Sequence, residues 1–201
     1  MFIQVIEGRV HDAADAIAAV DRWYADVRPN ARGWLGLTLG VTGDDTLVNI
    51  VRFESEQAAR ENSDRPEQQQ WWTETSEIFT EEPTFYDCTD VEQWLGGGSD
   101  DAGFVQVIQG RLLDPERFKQ VNHDLEVSVA SLRPEIIGGT VALTDDGQCI
   151  QTVYFTSEEA AREGESKEPP PEIAAAMETW RGLYDGEPIY FDLRDPRMYS
   201  A

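Results

Sequence analysis

The stretch "FVQVIQGR" (Phe104 to Arg111) repeats "FIQVIEGR" (Phe2 to Arg9) almost letter for letter, 102 positions further along the chain. At the same spacing, "YFTSEEAARE" (Tyr154 to Glu163) repeats "RFESEQAARE" (Arg52 to Glu61). Matches of this length at one fixed spacing are typical of a duplicated structural unit. The sequence therefore predicts two copies of one fold in a single chain.

The copies also match near their ends, where "EEPTFYD" is followed 105 positions later by "GEPIYFD". Between the copies lies "LGGGSDDAG", whose glycine and serine content is typical of a flexible linker. We therefore predict a first unit over residues 1–95, a Gly/Ser/Asp linker over 96–103 and a second unit over 104–201.

Each copy begins with a strand followed by a helix. Residues 2–10 alternate in the manner of a β-strand. Asp12 is a favourable N-cap for the helix that follows, and the helical spacing of apolar residues stops at Arg28–Pro29. In the second copy Asp114 caps the matching helix, and Pro115 takes its first position.

Two further strands come next, "WLGLTLGV" (Trp34 to Val41) and "TLVNIVRF" (Thr46 to Phe53), with "TGDD" as the turn between them. A helix starting at Ser55, a helical stretch over residues 67–79 and a last strand over residues 83–88 complete the copy. The order β-α-β-β-α-β is that of the ferredoxin-like fold. It places both helical segments on one face of an antiparallel sheet.

Apolar residues on both sides of the strands indicate that the other face of the sheet is covered too. In the second strand, one set of alternating residues is expected to face the helices and the other set to face away: Leu35, Leu37, Leu39 and Val41 against Trp34, Gly36, Thr38 and Gly40. A sheet with one wet face alternates more cleanly. We therefore predict an α+β fold of two tandem ferredoxin-like units that pack sheet to sheet, as an intramolecular dimeric α/β barrel.

Composition excludes two classes of partner. The 16 basic and 39 acidic residues give a formal charge of −23, which repels nucleic acid and anionic membrane surfaces. We also find no stretch long and apolar enough for a membrane helix or a secretion signal. Cys88 and Cys149 occupy unmatched positions of the repeat, which favours buried free thiols in a reducing, cytoplasmic environment.

The element order, the duplication and the run "VRFESEQAARENSDRPEQQQWW" (Val51 to Trp72) resemble the antibiotic biosynthesis monooxygenase-like family of the dimeric α/β barrel superfamily. The resemblance implies that the tandem chain is a covalent pseudo-dimer, and whether two chains form a further homodimer is left open. Members of the family include cofactor-independent oxygenases of polyketide-type phenols, haem-degrading monooxygenases and lactone isomerases.

The resemblance does not extend to the haem-degrading residues. Those members use an asparagine on the first strand with a histidine and a tryptophan on the last helical segment. Here the first strand offers Gln4, Glu7 and Gly8, and no histidine follows Trp72. The histidines, His11 and His123, are expected on the surface without convergent ligands. We therefore expect neither a cofactor nor a metal site.

Polar residues recur at matched positions inside the apolar strands. Gln4 matches Gln106, and Asn49 matches Gln151. A buried amide without a partner costs about 1–3 kcal/mol, so these side chains either hydrogen-bond one another across the sheets or line a cavity. Both interpretations stay open at this stage.

The first copy is richer in aromatic residues, which favours it as the ligand-binding half. We expect a small aromatic ligand in a pocket between its sheet and its helices. The candidate substrate-binding residues are Gln4, Trp34, Asn49, Arg52, Trp72 and Tyr86. Glu7 or Arg52 could assist removal of a substrate proton.

Three functions fit this pattern. The first is a cofactor-independent monooxygenase-like or isomerase-like enzyme acting on a small aromatic or polyketide-like compound. The second is a binding protein with the same pocket and no catalysis. The third is a structural pseudo-dimeric barrel whose interior is filled by side chains. A pocket above about 300 Å³ with convergent polar groups would favour the first two.

Overall fold

A computed structural model describes residues 1–201 and confirms the α+β class. The chain forms two compact units. Unit 1 consists of Met1–Thr89 together with Asp195–Ala201, and unit 2 consists of Asp90–Arg194. Each contains the β-α-β-β-α-β order that the sequence predicts.

The first copy begins with strand β1 (Phe2–Arg9) and helix α1 (Ala13–Arg22). One π-helical turn at Trp23–Val27 and a 3₁₀ turn at Arg28–Asn30 extend α1. The remaining elements are β2 (Trp34–Val41), β3 (Thr46–Phe53), α2 (Glu56–Ser63), α3 (Pro66–Thr75), a 3₁₀ turn (Ser76–Ile78) and β4 (Thr84–Trp94).

The second copy repeats this order. Its elements are β5 (Phe104–Arg111), α4 (Pro115–Leu132), β6 (Ile136–Thr144), β7 (Gln148–Phe155), α5 (Glu158–Glu165), α6 (Pro171–Arg181), β8 (Ile189–Arg194) and β9 (Arg197–Ser200). No helix is both long and apolar enough to cross a membrane.

Side-chain caps start helices at the predicted residues Asp12 and Ser55, and also at Ser157, the match of Ser55 in the second copy. Asp12 accepts a hydrogen bond of 2.7 Å from the backbone N–H of Ala14 at the start of α1. Ser55 and Ser157 start α2 and α5 in the same way, each with a bond of 3.1 Å to its helix backbone. These caps satisfy backbone donors that a helix start otherwise leaves unpaired.

The sheets are antiparallel, with strand order β4-β1-β3-β2-β9 in unit 1 and β8-β5-β7-β6-β4 in unit 2. Strand β4 pairs with β1 at its start, where Cys88 lies opposite Ile3, and its residues from Asp90 onward belong to unit 2. Strand β9, from the end of the second copy, pairs with β2 in unit 1. Each sheet therefore takes an edge strand from the end of the other copy.

Both faces of the unit 1 sheet are buried, as predicted. The helix side carries a core that includes Leu37, Leu39 and Trp23. On the opposite face, the residues Ile3, Val5 and Ile50 are also buried, and each exposes at most 1% of its surface. Burial of such side chains stabilises the fold by roughly 1.5–3 kcal/mol each.

The predicted orientation of Trp34 is wrong. The register between β2 and β3 shifts between Trp34 and Gly36, where Gly36 has φ of +153°. This bulge adds one residue to β2, so Trp34 turns to the helix side with Leu37 instead of joining Gly36 and Thr38 on the other face.

Candidate functional site

Two recesses open on unit 1. The first, which we name the α2 recess, has a volume of about 190 Å³ and lies between β1, the start of β4 and α2. Its lining residues are Phe2, Gln4, Glu56, Ala59, Arg60, Ser63, Asp64 and Asp87. This wall combines one aromatic ring with several carboxylates, which suits a cationic group more than an anion.

The second, which we name the aromatic recess, has a volume of about 340 Å³. It is lined by Trp72, Ser76, Phe79, Glu81, Glu82, Pro83 and Phe85. The rings of Trp72 and Phe85 meet edge to face with centroids 5.4 Å apart, and Trp72 lies 6.2 Å from Phe79. Phe85 is 45% exposed, so an aromatic face is open to a ligand.

Gly8 on β1 makes room for this aromatic cluster. A Cβ atom at Gly8 would lie 2.8 Å from Cδ1 of Phe79 and 3.1 Å from Cβ of Pro83. The second copy repeats the arrangement, since a Cβ at Gly110 would lie 2.7 Å from Cδ1 of Tyr184. Only a glycine lets the ring lie directly on the strand.

The predicted site residues divide between the two faces of the sheet. Four of them lie on the helix side: Gln4, Asn49, Trp34 and Trp72. Of these, Gln4 lines the α2 recess and Trp72 lines the aromatic recess. Ile6 pairs with both Asn49 and Phe85, so these two side chains flank Ile6 on one face. Arg52 and Tyr86 lie on the opposite face.

Trp34 is part of the packed core. Its ring lies 5.7 Å from Trp23 and 6.1 Å from Tyr24, and the Arg28 guanidinium lies 5.0 Å above it. Its indole N–H is buried without a hydrogen-bond partner. Trp34 therefore stabilises the core on the helix side of unit 1.

The matched glutamines bond to neighbouring strands and not to each other. Gln4 donates a hydrogen bond of 2.8 Å to Asp87, and Gln106 donates one of 3.0 Å to Asp192. Each pair lies within one unit, so the idea that the glutamines join two sheets is wrong for these side chains. Because Gln4 also lines the α2 recess, its position agrees with the alternative that it lines a cavity.

The other two matched amides, Asn49 and Gln151, each have a buried side-chain oxygen that accepts no hydrogen bond. The Oδ1 atom of Asn49 and the Oε1 atom of Gln151 are enclosed and accept no hydrogen bond. Asn49 is 7% exposed and Gln151 6%. A buried carbonyl oxygen without a donor costs free energy, so each amide lowers the stability of its unit at that position.

On the opposite face, Arg52 is 7% exposed and donates a hydrogen bond of 3.2 Å to Oγ1 of Thr38. Tyr86 is half-buried and pairs with Val5. Glu7, the other predicted proton acceptor, alternates along β1 with Val5 and lies on this face too. These residues are therefore separated from both recesses by the sheet.

Sequence reasoning did not include Phe85 and Asp87 among the site residues. Both alternate along β4 on the side that carries Ile6 and Gln4, to which they are paired. The alternation is visible in "TFYDC", but the register of β4 against β1 is needed to bring these side chains to the recesses.

The cysteines and histidines lie as predicted. Cys88 and Cys149 are free and fully buried. Burial, with a contribution from Asp87, raises the pKa of the Cys88 thiol to about 12, which makes it a poor nucleophile. His11 and His123 are exposed. No group of three or more His, Cys, Asp or Glu side chains is placed to hold a metal ion.

No known family's sequence profile matches the chain, and no curated protein matches it either. Among solved structures, a candidate monooxygenase from Lactobacillus acidophilus NCFM superposes with a TM-score of 0.75 at 13% identity, over 99% of this chain and 95% of the other. A candidate monooxygenase from Fusobacterium nucleatum gives 0.75 at 11% identity, over 99% and 94%.

An anthrone oxidase-like protein superposes with a TM-score of 0.70 at 15% identity, over 100% of this chain and 93% of the other. At these identities the likeness concerns the fold. An uncharacterised ferredoxin-fold protein from Listeria monocytogenes, related to antibiotic biosynthesis monooxygenases, also superposes over 98% of this chain with a TM-score of 0.54. The chain therefore has the tandem ferredoxin-like fold of the antibiotic biosynthesis monooxygenase-like proteins.

Proposed function

We propose that the protein binds a small aromatic, polyketide-like compound at the aromatic recess and oxygenates it without a cofactor. The observation that carries the proposal is the edge-to-face pair of Trp72 and Phe85, which forms an open aromatic wall in a recess of about 340 Å³. Recesses of this size are within the range that binds small ligands. A planar ligand would stack against the exposed Phe85 ring.

Oxygenation without a cofactor requires a substrate that itself supplies the electrons that reduce O₂. A CH₂ group beside aromatic rings loses a proton to give an electron-rich carbanion, which reacts with O₂. One oxygen atom stays on carbon as a carbonyl, and the other leaves as water with the two hydrogens of the CH₂ group. Glu81 and Glu82 line the recess, and their carboxylates are our candidates for the proton acceptor.

Similarity of fold to candidate monooxygenases and to an anthrone oxidase-like protein supports this reaction class. Of the predicted helix-side residues, Trp72 stays our candidate for substrate contact because it lines the recess, whereas Gln4, Trp34 and Asn49 do not line it. Arg52 and Tyr86 would act only on a ligand bound at the opposite face. The free thiols and the charge of −23 support a cytoplasmic protein without nucleic-acid or membrane partners.

A second candidate function is binding without turnover. The exposure of Glu81 and Glu82 favours it, because a carboxylate in water is a weak base. In that case the protein would carry or sequester the aromatic compound, and the same recess would be used.

Oxygen uptake with a panel of hydroxylated aromatic compounds tests the proposal, with ligand binding followed by Trp fluorescence. Trp72→Ala should weaken binding and uptake together by about tenfold, since a stacked aromatic contact contributes on the order of 1 kcal/mol or more. Met177→Ala is the control, because Met177 lies 105 positions after Trp72, which is the spacing between "EEPTFYD" and "GEPIYFD". Binding without uptake favours the second function, and neither binding nor uptake favours the purely structural barrel.

A further inference from the structure

In unit 2, an arginine of the protein itself occupies the place that corresponds to the α2 recess. The guanidinium of Arg162 contacts the carboxylate of Asp192 and lies 5.2 Å from the ring centroid of Phe104. Asp192 also accepts a hydrogen bond from Gln106. A carboxylate, an amide and an aromatic ring thus bind one guanidinium there.

Unit 1 has the same three groups, but its matched arginine has different contacts. Phe2, Gln4 and Asp87 match Phe104, Gln106 and Asp192 of unit 2, and all three line the α2 recess. The matched arginine, Arg60, bonds Glu56 one turn back on α2, and its side chain is 76% exposed. The three groups that contact a guanidinium in unit 2 are therefore present in unit 1, where Arg60 does not contact Asp87 in the same way.

A substitution between the copies accompanies the difference. In unit 2, Arg194 binds Glu158 through two hydrogen bonds of 2.7 and 2.8 Å. Arg162 keeps a longer bond of 3.4 Å to Glu158 and also contacts Glu165 and Asp192. In unit 1 the position of Arg194 holds Thr89, which carries no charge. Glu56, the counterpart of Glu158, therefore has Arg60 as its charged partner, and the exposed Arg60 side chain lies at the edge of the recess instead of on Asp87.

We propose that the α2 recess of unit 1 is a binding site for the guanidinium group of a small molecule. Asp87 would accept charge-assisted hydrogen bonds, and Phe2 would contact the planar cation through its ring face. Glu56 and Asp64 add negative charge around the opening. This site is distinct from the aromatic recess, and it does not depend on the proposed oxygenation.

The test is an NMR titration of the full chain with methylguanidinium, with neutral methylurea as the probe control. Methylguanidinium should shift the amide signals of Gln4 and Asp87 with saturation in the millimolar range, and methylurea should not. The signals of Gln106 and Asp192 should stay in place. Equal shifts in both units, or none in unit 1, would overturn the proposal.

Three variants test the mechanism, each first checked for an unchanged thermal transition. Asp87→Asn should weaken binding about tenfold, as expected for loss of a charged acceptor. Thr89→Arg should give Glu56 a second arginine partner, as Arg194 does for Glu158, and so allow Arg60 to turn onto Asp87 and abolish binding. Arg162→Ala should open the matched place in unit 2, so that two sites bind methylguanidinium instead of one.

If Arg60 already turned into the recess in solution, the wild-type chain would not bind the probe and Arg60→Ala would. That pattern would show an internal arginine contact in both units and would contradict the proposal.

Discussion

Tyr199 stacks on Tyr24 with ring centroids 4.0 Å apart and an interplanar angle of 18°. The same side chain donates a hydrogen bond of 2.7 Å from its hydroxyl to Asp21 on α1. Tyr199 belongs to β9, the strand that the second copy contributes to the unit 1 sheet. These two contacts attach the end of the chain to the first helix of unit 1.

We expect Tyr199→Ala to lower the free energy of unfolding by about 2–3 kcal/mol, because it removes both the stacked ring and the hydrogen bond. Tyr199→Phe keeps the ring and should cost only about 1 kcal/mol. Urea unfolding followed by fluorescence measures both. Equal losses for the two variants would mean that the stacked ring contributes nothing.

The Tyr199 hydroxyl also predicts a pH dependence. Burial, with the hydrogen bond to Asp21, raises its pKa from the ordinary value of 10.0 to about 12. A raised pKa contributes stability that is fully present below pH 10 and is lost as the pH rises toward 12. The stability gap between wild type and Tyr199→Phe should therefore narrow over this interval. A constant gap would contradict the assignment.

Gly8→Ala tests the packing behind the aromatic recess. The added methyl would lie 2.8 Å from the Phe79 ring, so the ring must move, and we expect a loss of about 1–3 kcal/mol of stability. Ligand affinity at the recess should fall as Phe79 is displaced. Gly110→Ala meets Tyr184 in the same way and should cost similar stability without changing that affinity.

Asn49→Leu separates stability from function. It removes a buried oxygen that accepts no hydrogen bond, so we expect the free energy of unfolding to rise by about 1 kcal/mol. Gln151→Met should give a similar gain in unit 2. If Asn49 contacts the substrate, oxygen uptake should fall in Asn49→Leu alone. A loss of stability in both variants would reveal buried donors that these amides satisfy.

Glu135 provides a test in unit 2 at acid pH. Burial opposes ionisation of this carboxyl most strongly, but the bond from Arg133, a backbone hydrogen bond and the charges of Arg133 and Lys167 together outweigh it, so the pKa of Glu135 lies below its ordinary 4.5. A lowered pKa contributes stability above pH 4.5 that disappears as the pH falls through the folded value. Glu135→Gln should therefore lose about 1–2 kcal/mol at pH 7, and the difference from wild type should vanish once the pH falls below the lowered pKa of Glu135.

The exposed pair of Glu163 and Lys167 is the control for this measurement. Its side chains are 69% and 59% exposed, so water screens their attraction. Glu163→Gln should change stability by less than about 0.5 kcal/mol at either pH. A pH-dependent loss of the same size in both variants would assign the effect to net charge instead of the Arg133 contact.

Local pattern was enough to predict the main elements. The bounds of β2 and β3 agree with the predicted stretches at both ends, because alternation and a polar turn specify them within a few residues. The bulge beside Gly36 was not predictable in this way. It depends on how β2 meets β3, and it decides which face Trp34 occupies.

The exchanged strands depend on contacts that are distant in the sequence. Strand β4 was predicted to end at Cys88, but it continues to Trp94 because its second half pairs with β6. The candidate site also depends on contacts between residues that are distant in the sequence. Trp72 was identified from its helix, whereas Phe85 joins it only through the register of β4 against β1.

The exchange of edge strands also sets the order of events during synthesis. Unit 1 is nearly complete once β4 has left the ribosome, yet β2 has no neighbour on its outer side until residues 197–200 follow, some 100 residues later. At about 5–20 residues per second, this delay lasts roughly 5–20 s. During that time the open edge of β2 can pair with other nascent chains, and the strong negative charge of the polypeptide would keep such chains apart.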